Sequence, residues 1–262
     1  MSNASLSRRG FLMRAALATG ALATRVPAAL AAGGARRMVF HGKGFAPMVA
    51  VVRRGEPLRI ECAAAHPLRL ASAPTAPRSI IRAVGPGQAV ALRLTEPGLY
   101  LFYDALTTLF DPRVGQVAAR SGSPYFPMPA YAAVLVTDRD GGGLALTAPQ
   151  VSIPDTTMTF QPWAVVCAAG TPVRFTNNDM DPHVVLPAPG ARGSRPPFGG
   201  FPLPAYGGTG TLRLERPGLY HYYCPLHAHY RAADDTFEPL KTFGGFPFVM
   251  DGLIAVMPPA RA

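Results

Sequence analysis

Five side chains in the second half of the chain have the chemistry of a metal site. Cys224 closes the run Gly218-Leu219-Tyr220-His221-Tyr222-Tyr223, and His227 follows it at Cys-x-x-His spacing. His229 comes two residues later, and Met250 stands just before the apolar run Leu253-Ile254-Ala255-Val256. Upstream, His183 lies between the polar stretch Asn177-Asn178-Asp179-Met180-Asp181-Pro182 and the β-branched pair Val184-Val185. A thiolate with two imidazoles in a trigonal plane, backed by a weak axial thioether, is a donor set for one mononuclear copper ion. It serves both copper oxidation states, so little has to move when an electron arrives or leaves. Zinc on the same residues is disfavoured, because one thiolate and one soft thioether suit copper better.

These donors need strands to hold them. Strict alternation over Gly218–Cys224 puts Tyr220, Tyr222 and Cys224 on one face, and Leu219, His221 and Tyr223 on the other. His221 therefore faces away from the thiolate. With 27 glycines, 29 prolines and no long helical period, the chain reads as many short strands joined by turns. It also reads as a duplication. Phe45, Pro47, Gly55 and Pro57 recur as Phe160, Pro162, Gly170 and Pro172, all 115 residues on. Pro97-Gly98-Leu99-Tyr100 and Tyr103 recur as Pro217-Gly218-Leu219-Tyr220 and Tyr223, 120 residues on, so a unit of roughly 105 residues occurs twice. The fold class expected is all-β, two tandem antiparallel Greek-key β-sandwiches over residues 36–138 and 150–260. The glycine run within 139–149 would link them, and the long loop after Asp104 and Cys224 is the one place in each half with room for a short helix.

The pattern Phe160-x-Pro162, Gly170-Thr171-x-Val173-x-Phe175-x-Asn177-Asn178-Asp179, His183-x-Val185, Gly218-x-Tyr220-x-Tyr222-x-Cys224-x-x-His227 and Met250-x-Gly252-x-Ile254-x-Val256 resembles the cupredoxin family, to which plastocyanin and azurin belong. The resemblance spans nearly all of 151–256. It implies one type 1 (blue) copper with His183, Cys224 and His227 as equatorial ligands and Met250 as the axial one. It also implies that Asn178 helps tie the ligand loops together. Two departures bear on this. The 22 residues between His227 and Met250 far exceed the family's few, and His229 offers an alternative Cys-x4-His spacing, as in azurin. In the first half the positions of Cys224, His227, His229 and Met250 are filled by Asp104, Thr107, Leu109 and Ala130, so that half is expected to be a sandwich without copper ligands.

The flanking features place the protein. Ser7-Arg8-Arg9-Gly10-Phe11-Leu12, a short apolar run and Ala29-Leu30-Ala31 read as a twin-arginine signal peptide over residues 1–32, which implies export to the periplasm. That run is too short and too interrupted by Arg14 and Arg25 to span a bilayer, so no stable membrane span is expected in the mature chain. The formal charge is +10, yet no cluster of Lys/Arg with interleaved aromatics appears, which argues against nucleic acid. Of three cysteines, Cys62 and Cys167 read as separate buried thiols, with a disulfide between them as the alternative. The function expected is electron transfer to a redox protein such as a periplasmic cytochrome or oxidoreductase, by a carrier rather than a substrate-converting enzyme. Two alternatives stay open: copper storage or delivery, and a two-domain copper oxidoreductase. The last is disfavoured because Tyr223, not histidine, precedes Cys224, and because six histidines cannot supply the paired His-x-His motifs of a trinuclear cluster.

Overall fold

Alternation is visible wherever one face of a strand meets water. Along Pro57–Cys62 and Pro172–Asn177 every second side chain is buried, so Leu58, Ile60 and Cys62, and likewise Val173, Phe175 and Asn177, point inward. Tyr131–Thr137 and Asp251–Met257 behave otherwise. All seven residues of each are buried, which for a strand means that both faces are covered.

The computed structural model describes residues 36–138, 144–189, 197–241 and 246–258. The twin-arginine segment at 1–32 and the 139–143 part of the linker lie outside them. Among the described residues the structure is all-β, with no helix. In the first half, a four-stranded sheet runs Phe45–Ala46, Arg36–Phe40, Pro57–Cys62, Ala89–Arg93. It faces a five-stranded sheet ordered Val49–Arg53, Tyr131–Thr137, Gly98–Asp104, Leu68–Ser72, Ile81–Val84. The second half repeats this with Gln150–Ile153, Pro172–Asn177, Gly208–Arg213 facing Ala164–Ala168, Asp251–Met257, Gly218–Tyr223, His183–Pro187, Phe201–Leu203. Pairing is antiparallel except where the opening strands of each half are concerned. Arg36–Phe40 runs parallel to Pro57–Cys62, and Val49–Arg53 parallel to Tyr131–Thr137, with the same two exceptions in the second half. The entering chain crosses from one sheet to the other between these strands, so neither is joined to its neighbour by a hairpin. Gly55 and Gly170 serve the matching turn that follows, at φ +78° and +79°, a left-handed conformation that side chains rarely adopt.

Each half has its own core. Phe40, Phe45, Leu58, Ile60 and Phe102 fill the first, and Phe160, Phe175, Tyr222 and Ile254 the second. A Leu or Phe of this kind contributes about 1.5–3 kcal/mol on burial. A third and fourth cluster lie between the halves. They join Met48 with Trp163, Val117 with Phe237 and Ala133 with Leu253, and then Val51 with Val166 and Leu135 with Ala255. Each of these pairs is related by the repeat offset, so equivalent faces meet each other across a pseudo-two-fold axis, as in an isologous dimer. That contact explains the two strands buried on both faces.

Where the sequence left room for short helices the chain forms hairpins, Thr108–Asp111 with Gln116–Ala119 and Ala228–Arg231 with Thr236–Pro239. Val117 and Phe237 from these hairpins belong to the inter-half cluster, and Gln116 Nε2 donates to Phe160 O at 3.2 Å. Their apolar side chains are spaced to meet the opposite half, not to line one face of a helix.

The duplication carries its own control on packing. Tyr222 stacks against Gly252, where a Cβ would run into the Tyr222 ring, while the first half has Phe102 and Ala132 at the matching positions. Gly252→Ala is expected to cost about 1–3 kcal/mol through overpacking. Adding Tyr222→Phe should recover part of that loss. Denaturant unfolding of the single and double variants measures both.

Candidate metal centre

Cys224 sits where the Gly218–Tyr223 strand leaves the sheet. Its N–H donates to Met250 O at 2.9 Å, which ties the cysteine to the residue just before the neighbouring Asp251–Met257 strand. The chain then makes a single turn. The N–H groups of His227 and Ala228 both donate to Cys224 O, at 3.1 and 2.9 Å, and this folds His227 back over the cysteine. His183 opens the strand on the other side of Gly218–Tyr223, at the same end of the sheet.

The three donors converge. His183 Nδ1 and His227 Nδ1 are 3.2 Å apart, Cys224 Sγ lies 3.3 Å from His227 Nδ1, and it lies 3.9 Å from His183 Nδ1. A point equidistant from all three atoms is about 2 Å from each, against typical metal–imidazole distances of about 2.0–2.1 Å and metal–thiolate distances of about 2.3 Å. Among the described residues this is the one group of three such donors gathered within 4.8 Å. All are shielded from water: Cys224 and Met250 are 0% exposed, His183 1% and His227 5%. His229 is exposed on the hairpin, opposite Glu238, and does not join the group.

The surroundings prepare the donors. Burial pushes the Cys224 thiol up, while backbone N–H groups aimed at the sulfur pull it down, among them Val184 N at 3.4 Å. Burial also lowers His183, against the raising effect of Asp179, and burial with the neighbouring His183 lowers His227 to about 4. Both imidazoles are thus neutral, as a metal ligand must be. Asp179, itself fully buried, holds His183 Nε2 at 3.2 Å and so leaves Nδ1 facing the other donors.

The residue that ties the ligand loops is Asn177, not Asn178. Asn177 Nδ2 donates to Asp181 O, Leu203 O and Pro204 O, at 2.8, 3.3 and 3.0 Å, and its Oδ1 accepts from Asp179 N at 3.0 Å. Asn178 is exposed, because alternation from the inward Phe175 brings Asn177 to the same face and sends Asn178 out. Asp179 went unrecognised in the sequence, although its position four residues before His183 was there to be read.

The first half shows what happens without donors. Asp104 stands at the cysteine position, fully buried, and its carboxylate accepts from Arg69 N at 3.0 Å, Leu106 N at 3.2 Å and Thr107 Oγ1 at 2.7 Å. Arg69 is the repeat partner of Val184, whose N–H points at the Cys224 sulfur. Leu68 and Ala130 replace His183 and Met250. His66 lies with its Nδ1 at 3.0 Å from Pro67 O and its ring against Phe40 and Tyr125. All three cysteines are free thiols, and Cys62 and Cys167 are buried separately in the two cores.

The sequence matches no protein-family model and no curated protein. Among solved structures, a purple cupredoxin from Nitrosopumilus maritimus is 22% identical over 41% of this chain and 97% of that one, with a TM-score of 0.28. A mutant plastocyanin of a fern is 20% identical over 41% and 98%, with a TM-score of 0.27. A multicopper oxidase is 14% identical over 84% and 87%, with a TM-score of 0.30. Overlaps this low carry no weight for function, and the chemistry rests on this chain's own residues.

Two outcomes follow from the site's electrostatics. Asp179→Asn should weaken metal affinity about 10–100-fold while leaving every donor in place, as judged by competition with a chelator. The unfolded chain protonates His227 near its ordinary value, whereas the fold keeps it neutral down to about 4. Acid therefore favours unfolding across that window. Metal-free protein should lose about 1–3 kcal/mol of stability from this group between pH 6.5 and 4, and His227→Gln should remove that share in melts run across the range.

Proposed function

We propose that this chain is a periplasmic electron carrier, a cupredoxin-like protein holding one type 1 copper in its second half and none in its first. The observation that carries the reading is the convergence of His183 Nδ1, Cys224 Sγ and His227 Nδ1 in one buried triangle. Met250, buried and tied through its carbonyl to the Cys224 N–H, is the axial thioether on this reading, and its adjacency to the cysteine supports it. When bound, copper supplies a one-electron couple.

The chain's own residues do the rest. Asp179 fixes the tautomer and ring orientation of His183. The Val184 N–H stabilises negative charge on the sulfur. Strand pairing between Gly218–Tyr223 and Asp251–Met257 holds the donors in one geometry, so that a change of charge is met by a frame that does not rearrange. Near-complete burial of the donors supports a retained ion over one handed on to another protein, and it leaves no open position for a substrate. The partner is a redox protein such as a periplasmic cytochrome or oxidoreductase, and the twin-arginine segment suits export of a chain already folded around its cofactor.

The test uses folded mature protein loaded with Cu(II) beside Cys224→Ser. An intense visible thiolate-to-copper band and a narrow hyperfine splitting in electron paramagnetic resonance are expected, both lost in the variant. The reduced protein should then pass its electron to a ferricytochrome c. A pale spectrum indifferent to the substitution would sink the reading.

A further inference from the structure

Within the largely apolar contact between the halves, one buried carboxylate stands out. Asp251 Oδ2 accepts from Tyr131 Oη at 2.8 Å and lies 2.6 Å from His221 Nε2. Tyr131 and Asp251 are 2% exposed, and Trp163 packs on both the Tyr131 and His221 rings, with centroids 6.2 and 6.4 Å away. Tyr131 and Asp251 are repeat partners, 120 residues apart. At this point of the pseudo-two-fold contact the two copies of one position face each other, one as donor and the other as acceptor. The flanking positions have diverged in one direction. His221 and Trp163 stand on the metal side, opposite Leu101 and Met48 on the metal-free side.

Adhesion does not require such a group. A buried carboxylate is costly unless it is fully partnered, and apolar side chains of similar size hold an interface as well or better. What the group does have is position. Asp251 directly follows Met250, and His221 lies three residues before Cys224 on the paired strand. The axial thioether bond is weak and long, so its length is set by the protein frame and not by the bond itself.

We propose that Tyr131 of the first half is a positioning residue for the metal centre: through Asp251 it fixes where Met250 stands relative to Cys224, and thereby tunes the site's reduction potential. This rests on the copper reading above. It also gives the metal-free half a task at the site.

The experiment compares wild type, Tyr131→Phe, Asp251→Asn and Val51→Ala. Val51 lies in the other inter-half cluster, with Leu135 and Val166, so its truncation weakens the same interface away from Asp251. In copper-loaded protein, Tyr131→Phe should change the ratio of the thiolate-to-copper bands. It should also change the equilibrium constant for reduction by a reference carrier about threefold or more, less than a whole hydrogen bond to a charged group is worth. Asp251→Asn should move both readouts the same way. In metal-free protein, Tyr131→Phe should speed amide exchange at Cys224 and Leu253. Val51→Ala should lower the melting temperature and leave spectrum and potential unchanged. If Tyr131→Phe leaves spectrum and potential as in wild type, or if Val51→Ala shifts them equally, the positioning role falls and the copper site stands. Were wild type itself to lack the thiolate band, the site reading would fall first and take this one with it.

Discussion

The hydrogen bond from the Cys224 N–H to Met250 O is the constraint on which the site depends. It continues the antiparallel ladder of Gly218–Tyr223 with Asp251–Met257 by one rung beyond the strands, and at that rung Cys224 and Met250 are paired across the two segments. Everything else is arranged around it. The turn after Cys224 returns His227, and the strand on the far side delivers His183. The sheet is rigid because Asp251–Met257 is buried on both faces, by its own core and by the other half. A ladder at the centre of a sheet, with one strand buried on both faces, opens at a higher free energy than an edge would.

The same ladder in the first half ends differently and shows which parts of the site are scaffold. Asp104 accepts the N–H of Arg69 in the place where the Cys224 sulfur accepts that of Val184. A buried amide needs an acceptor whether or not a metal is bound. The carboxylate supplies one, and with Leu106 N and Thr107 Oγ1 also donating to it, its charge is compensated. The loop geometry of a metal site thus survives without the metal, held by oxygen in place of sulfur.

Much of this was legible in the sequence, and the limits have physical causes. The converging Cys224, His227 and His183 could be read because their spacing is tied to strand ends, and strand period is the most visible signal in a β protein. Alternation also placed His221 on the face away from the thiolate, where it meets Asp251. Choosing Asn178 over Asn177 was a one-residue slip of the kind that reverses every face in a strand. The hairpins read as possible helices because their apolar residues join a cluster assembled from distant parts of the sequence. Val117 and Phe237 belong to the cluster that joins the two halves, and no local period announces such contacts. The parallel opening strands were hidden for a similar reason, since pairing direction is decided by the crossing between sheets and not by the residues within a strand.

The pseudo-two-fold contact draws these strands together. A duplicated chain whose copies pack through equivalent faces begins with identical residues meeting on the axis, and like residues there cannot form a donor–acceptor pair unless their chemistry allows both roles. Divergence removes that restriction. Tyr131 against Asp251 is such a divergence, placed next to the residue that opens onto the metal site, whereas Leu135 against Ala255 and Val51 against Val166 have stayed apolar. Losing the donors in one half freed its face to specialise as a partner for the other. A single domain exposing the outer face of Asp251–Met257 would leave Leu253, Ala255 and Asp251 in water. The metal-free half therefore does for the other half what a permanent partner subunit would do, covering the outer face of Asp251–Met257 and donating a hydrogen bond to the residue that begins it.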